Sequence, residues 1–152
     1  MEYIGEDNEP HPPVMLHRVL VGSMERFVGG LIEHFAGDFP LWLAPEQVRV
    51  LPISEHWVDS AQALVDQLLG AGIRAVLYHR ETLGYRIRDA ELHKVPYMAV
   101  IGEREAEAGT VAVRKRGAGK KQEILAREEF VALLAHEVGS RALNAAPIPD
   151  AS

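Results

Sequence analysis

Between Val48 and Gly102 three short apolar runs rich in branched residues, VRVLPI, IRAVLYH and YMAVIG, alternate with two stretches of helical spacing. The runs have the length of buried strands and are too short for core helices. After Ser54, apolar residues recur at Trp57, Val58, Ala61, Leu64, Val65, Leu68 and Leu69, and Gly70 and Gly72 close the run, which predicts a helix. Arg86 to Val95 fits a second, shorter helix that Pro96 stops. Strand, helix, strand, helix, strand is the order that builds a parallel sheet with helices over its faces, so the core is α/β. Thr110 to Lys115 reads as a further strand, joined to the third by the short acidic loop EREAE, which makes the sheet mixed. Gly117 to Gly119 turns the chain, and a last helix is predicted from about Arg127 to Leu143, with Phe130, Val131, Leu134 and Val138 on one face.

The first part of the chain breaks this pattern. Val14 to Val21 reads as a strand and Ser23 to Ala36 as an amphipathic helix with Phe27, Val28, Leu31, Ile32 and Phe35 inward. The expected division is therefore a strand-helix piece of another domain over 1–39, a proline-containing linker over 40–47, an α/β domain over 48–145 and a flexible tail over 146–152. The chain has 152 residues, 47% hydrophobic and 25% charged, enough for one packed core and a remnant. It has no cysteine, so neither disulfides nor thiolate metal sites are available, and cytoplasm is the default location. No apolar run approaches the roughly 20 residues that cross a bilayer. A net charge of −6 argues against coating nucleic acid by bulk electrostatics, and against DNA as a partner. Any RNA contact must be local, and Arg80, Arg86, Arg88, Lys94, Arg104, Arg114, Lys115, Arg116, Lys120 and Lys121 gather positive charge in one half of the chain.

The run PVMLHRVLVGSMERFVGGLIEHFAGDFPLWLAP resembles the end of the catalytic domain of threonyl-tRNA synthetases, where motif 3 of class II synthetases lies. The likeness continues through APEQVRVLPI, AGIRAVLYHRETLGYRIRDAELHKVPYMAVIGEREAEAGTVAVR and the last helix, so it covers nearly the whole chain and the entire anticodon-binding domain. It implies a five-stranded mixed sheet surrounded by helices, preceded by a strand-helix remnant of the catalytic domain. It also implies that the parent enzyme is a threonine–tRNA ligase, which activates threonine with ATP and magnesium and transfers it to tRNA(Thr). By this match Arg26 contacts the ATP γ-phosphate, and His17 is one of three zinc ligands in the parent enzyme. A guanidinium at the positive end of a helix suits a polyphosphate. The family's other zinc ligands and its motifs 1 and 2 have no counterpart here, so this chain alone is expected to be inactive and to hold neither metal nor nucleotide. The family's dimer contacts lie mostly in that missing part, and the parent is expected to be a homodimer.

By the same match Glu105 and Arg114 read the second and third anticodon bases. A carboxylate accepts both N–H donors of guanine's Watson–Crick edge, and arginine donates to base acceptors or stacks on a ring. Arg80, Arg86 and Arg88 are expected to contact tRNA nearby, and Tyr85 to offer a ring for stacking. Around HRETLGYRIR the family often has an asparagine that touches the anticodon, where this chain has Arg80 and Glu81. Each residue also has a plainer reading: Arg26 as a solvated helix-start arginine beside Glu25 or Glu33, His17 as a core histidine, Glu105 as a charged turn, Arg114 as a sheet-edge cation. Two other functions compete. One is a free-standing anticodon-binding-like module serving as a regulatory or accessory nucleic-acid-binding subunit. The other is a flavodoxin-like enzyme, disfavoured because no strand end carries a Gly-rich phosphate loop.

Overall fold

The computed structural model describes residues 1–119 and 121–143. The expected tail over 146–152 and the end of the expected domain at 145 lie outside them. A two-residue ladder, β1 (Tyr3–Ile4) with β2 (Pro10–His11), precedes α1 (Met24–Phe35). Then follow β3 (Val48–Pro52), a 3-10 turn (Glu55–Trp57), α2 (Val58–Gly70), β4 (Ala75–Leu77) and α3 (Leu83–Leu92). The chain continues through β5 (Tyr97–Ile101), α4 (Glu103–Ala108), β6 (Thr110–Lys115), β7 (Glu123–Ala126) and α5 (Arg127–Ser140).

The main sheet has five strands in the order β4-β3-β5-β6-β7. β3 runs parallel to β4 and β5, while β5–β6 and β6–β7 are antiparallel, so the expected mixed α/β sheet is present. Every residue of β3 and of β5 is buried, as central strands covered on both faces require. On one face Val50, Ala99 and Val113 pack with Leu64 and Leu68 of α2 and Phe130 and Leu134 of α5. On the other, Leu51, Met98, Val100 and Ala112 pack with Ala90 of α3 and with Val95. Period-2 alternation puts Arg49 and Arg114 on this second face, beneath α3.

Several elements differ from the sequence expectation. No strand forms over Val14 to Val21; Val14 is 88% and Leu16 90% exposed. A strand is stable only where a neighbour takes its N–H and C=O groups, and among the described residues no strand pairs with this segment. Helix α1 forms as expected, with Ser23 Oγ accepting the Arg26 N–H at 3.3 Å, but none of its residues is buried. Helix α3 starts three residues before Arg86, because Thr82 acts as N-cap and accepts the Tyr85 N–H at 3.4 Å. EREAE is not a loop but helix α4, ended by Gly109 at φ 67°. Strand β7 carries too short an apolar run to be read from the residues alone.

The 40–47 segment packs on the sheet. Leu41 and Ala44 are 2% and 3% exposed. The buried Gln47 donates to the Leu41 carbonyl at 2.8 Å and accepts the Arg74 N–H at 2.7 Å. Arg116 donates to the carbonyls of Lys94 (2.6 Å) and Phe39 (2.9 Å), and Lys94 donates to Ala36 at the end of α1, so two cations tie α1 to the sheet.

Candidate nucleic-acid interface

Parallel strands β4, β3 and β5 all end at one sheet edge, the place where open α/β sheets leave a crevice. Three segments leave that edge: Ile53 after β3, Tyr78 to Glu81 after β4, and Gly102 with α4 after β5. Arg80 lies on the second of these segments, Tyr85 in the helix that it leads into, and Glu105 in α4 after the third. Arg80 is exposed, Glu81 turns the chain at φ 67°, and Tyr85 stands 53% exposed in the first turn of α3. Glu105, the third residue of α4, folds back so that its Oε2 accepts the Gly102 N–H at 2.9 Å. Among the described residues that carboxylate has no other hydrogen-bond partner, so it keeps acceptor capacity.

Arg114 lies elsewhere. It sits opposite Met98, four residues along β6 from Thr110, so roughly 13 Å of strand separates it from the edge that holds α4. Its Nη2 donates to the Gly119 carbonyl at 2.9 Å and stands 3.7 Å from Glu91 Oε1. The guanidinium thus braces the β6–β7 turn and borders a cleft lined by Glu91, Met98, Gly117 and Gly119. Glu105 and Arg114 are not brought to one point.

Arg86 points inward. It is 4% exposed, and its Nη1 donates to the carbonyls of Pro52 (2.6 Å) and Tyr78 (3.3 Å) at the ends of β3 and β4. Burial pushes the guanidinium down from its ordinary value, against a smaller opposing effect of Tyr78. As placed, its Nη1 serves the protein's own carbonyls, while its buried Nε has no hydrogen-bond partner among the described residues. Its neighbour Arg88 is exposed on α3. Arg49 anchors the same helix, bonded to both carboxylate oxygens of Glu46 at 2.6 and 2.8 Å and to Asp89, with the Glu46 hydrogen bond the main cause of its raised pKa. Sequence reasoning missed the inward role of Arg86 because the Pro52 carbonyl it serves lies 34 residues away in the chain.

Replacing Arg86 with Met is expected to cost about 2 kcal/mol, since it strips two strand-end carbonyls of a charged donor. Denaturant unfolding measures this. The salt dependence of RNA binding should stay unchanged, whereas loss of a phosphate contact would lower the slope by about one.

Arg26 and His17 are both exposed at the amino-terminal side. Among the described residues no group of three His, Cys, Asp or Glu side chains comes together to hold a metal ion. Nor is any described helix long and apolar enough to cross a membrane.

A family model described as an anticodon binding domain matches residues 47–137, which span the five-stranded sheet, Glu105, Arg114 and most of α5. The chain belongs to the anticodon-binding domain family. This anticodon-binding domain is of the type carried by threonine–tRNA ligases. It is 48% identical over 147 residues to the threonine–tRNA ligase of Symbiobacterium thermophilum, covering 96% of this chain and 22% of that one. The Desulforamulus reducens threonine–tRNA ligase is 56% identical over 120 residues, 78% of this chain and 19% of that one. The chain therefore spans 19% to 22% of the length of these curated relatives. The RNA-binding domain of threonyl-tRNA synthetase from Cryptosporidium parvum superposes with a TM-score of 0.72 at 33% identity, covering 77% of this chain and 30% of that one.

Proposed function

We propose that this chain reads the anticodon of tRNA(Thr) as part of a threonine–tRNA ligase. The observation that carries the proposal is the Glu105 carboxylate, fixed by the Gly102 N–H at an open sheet edge within the matched anticodon-binding domain. In this reading Glu105 takes the two N–H donors of guanine at the second anticodon position, and Arg114 serves the neighbouring base across the β6 surface. Arg80 and Arg88, exposed around the start of α3, meet the backbone of the anticodon loop.

The parent enzyme, in the same reading, is a cytoplasmic homodimer that adenylates threonine and transfers it to tRNA. Arg26 would face the ATP γ-phosphate beside magnesium, and His17 would be one zinc ligand. The residues present here give one contact to each group and form neither site by themselves. The chain alone is accordingly expected to bind RNA without adenylating threonine.

Fluorescence anisotropy at low salt tests the reading, using a threonine anticodon stem-loop and versions substituted at the second or third base. Each substitution should weaken binding about 10- to 100-fold, the range of a good bidentate contact. Glu105→Gln should erase the preference at one base and Arg114→Ala at the other. Equal affinity for every stem-loop would overturn the assignment.

A further inference from the structure

Gly102 has no room for a side chain. A Cβ there would stand 2.5 Å from Ile53 Cδ1 and 3.0 Å from Glu105 Oε2. Its backbone is extended, with φ −115°, a conformation open to any residue, so neighbours and not the dihedral require glycine. Two groups converge on it. The Glu105 carboxylate is anchored on its N–H at 2.9 Å. Ile53 is held beside it by the hydrogen bond from its own N–H to the Ile101 carbonyl at 2.8 Å.

Ile53 is a large aliphatic side chain, 50% exposed, directly after the fully buried strand β3. An acceptor pair beside a patch of alkyl surface has the complementarity of an unpaired nucleobase, whose face is apolar and whose edge carries paired donors. Arg80 and Arg104 lie exposed along this edge, but Glu81 and Glu103 lie next to them, so affinity there depends on base contact more than on bulk attraction.

We propose that Ile53 is the floor against which the base read by Glu105 lies, and that Gly102 is the positioning residue that keeps floor and carboxylate in register. This rests on the anticodon reading of Glu105 and adds to it a stacking contact and a specificity determinant. The purine is stacked on Ile53, while its N1–H and 2-amino groups donate to the carboxylate, which has acceptor sites to spare beyond the Gly102 bond.

The test uses anisotropy with the full chain and two stem-loops, one with guanine at the second anticodon position and one with inosine, which lacks the 2-amino donor. The unaltered chain should prefer guanine about tenfold. Ile53→Ala should weaken both about fivefold and keep the preference, the mark of lost stacking. Gly102→Ala should bring the preference close to one while circular dichroism still shows a folded chain, an effect that a merely structural glycine would not produce. If the unaltered chain prefers guanine and both variants match it in affinity and preference, the inference is wrong and the anticodon reading stands. If the unaltered chain shows no preference, both fall together. Should Gly102→Ala fail to fold, Ile53→Ala decides alone, since unchanged affinity would overturn the inference.

Discussion

Phe130→Ala is expected to destabilise the chain by about 4 kcal/mol, because it empties the centre of the larger core. Phe130 has no exposed surface and is among the largest fully buried side chains. It packs edge-on against the Tyr97 ring, with centroids 6.2 Å apart at 68°, and it presses α5 onto the sheet. For a domain of this size the midpoint of thermal unfolding should fall by roughly 20 °C. Urea titration provides the check: the midpoint drops while the slope is retained, as for a folded chain of unchanged compactness. A loss below about 1 kcal/mol would mean that α5 is not seated as described.

The second large effect concerns a buried polar pair. Tyr97 Oη donates to Glu137 Oε2 at 2.8 Å, and the two residues are 0% and 2% exposed. Tyr97→Phe keeps the ring and removes the donor, leaving a carboxylate buried with one partner fewer. The expected cost is about 3 kcal/mol, from the penalty of an under-satisfied buried charge. The same phenol gives a pH signature. Burial first, then the Glu137 hydrogen bond and charge, hold its ionisation well above the ordinary tyrosine value. A group whose folded pKa is raised contributes stability that is fully present below the unfolded pKa, about 10, and is lost as pH rises above it. Stability should therefore fall on the alkaline side of about pH 10 in the unaltered chain, and this component should vanish in Tyr97→Phe. Chemical denaturation between pH 8 and about 11 measures it; identical alkaline slopes in both proteins would show that another group is responsible.

Glu137 also illustrates where a sequence stops informing. It follows Phe130 and Leu134 at helical spacing, so it lies on the apolar stripe of α5, a position where a charge reads as an error. The reason for it is a tyrosine 40 residues away on β5. Arg86 has the same logic. With Arg88 and Lys94 nearby in the chain it reads as part of a basic cluster, yet it bonds the carbonyls of Pro52 and Tyr78 and so points inward.

The alternation of strands and helices from Val48 to Ile101, the antiparallel addition of β6 that makes the sheet mixed, and the apolar faces of α2 and α5 were determined by the sequence alone, whereas α4 and β7 were not. Their signals are local: period, branched residues and caps lie within a few residues of the structure they specify. The long match to threonyl-tRNA synthetases carried the family for a similar reason, since it rests on contiguous stretches. Tertiary structure decided what the charged residues do. It separated Glu105 from Arg114 along the sheet, put Ile53 across Gly102, turned Arg86 inward and left Val14 to Val21 without a strand. A charged side chain takes its role from whichever donor, acceptor or solvent surface comes within about 3 Å, and those neighbours are set by chain crossings that no local pattern encodes.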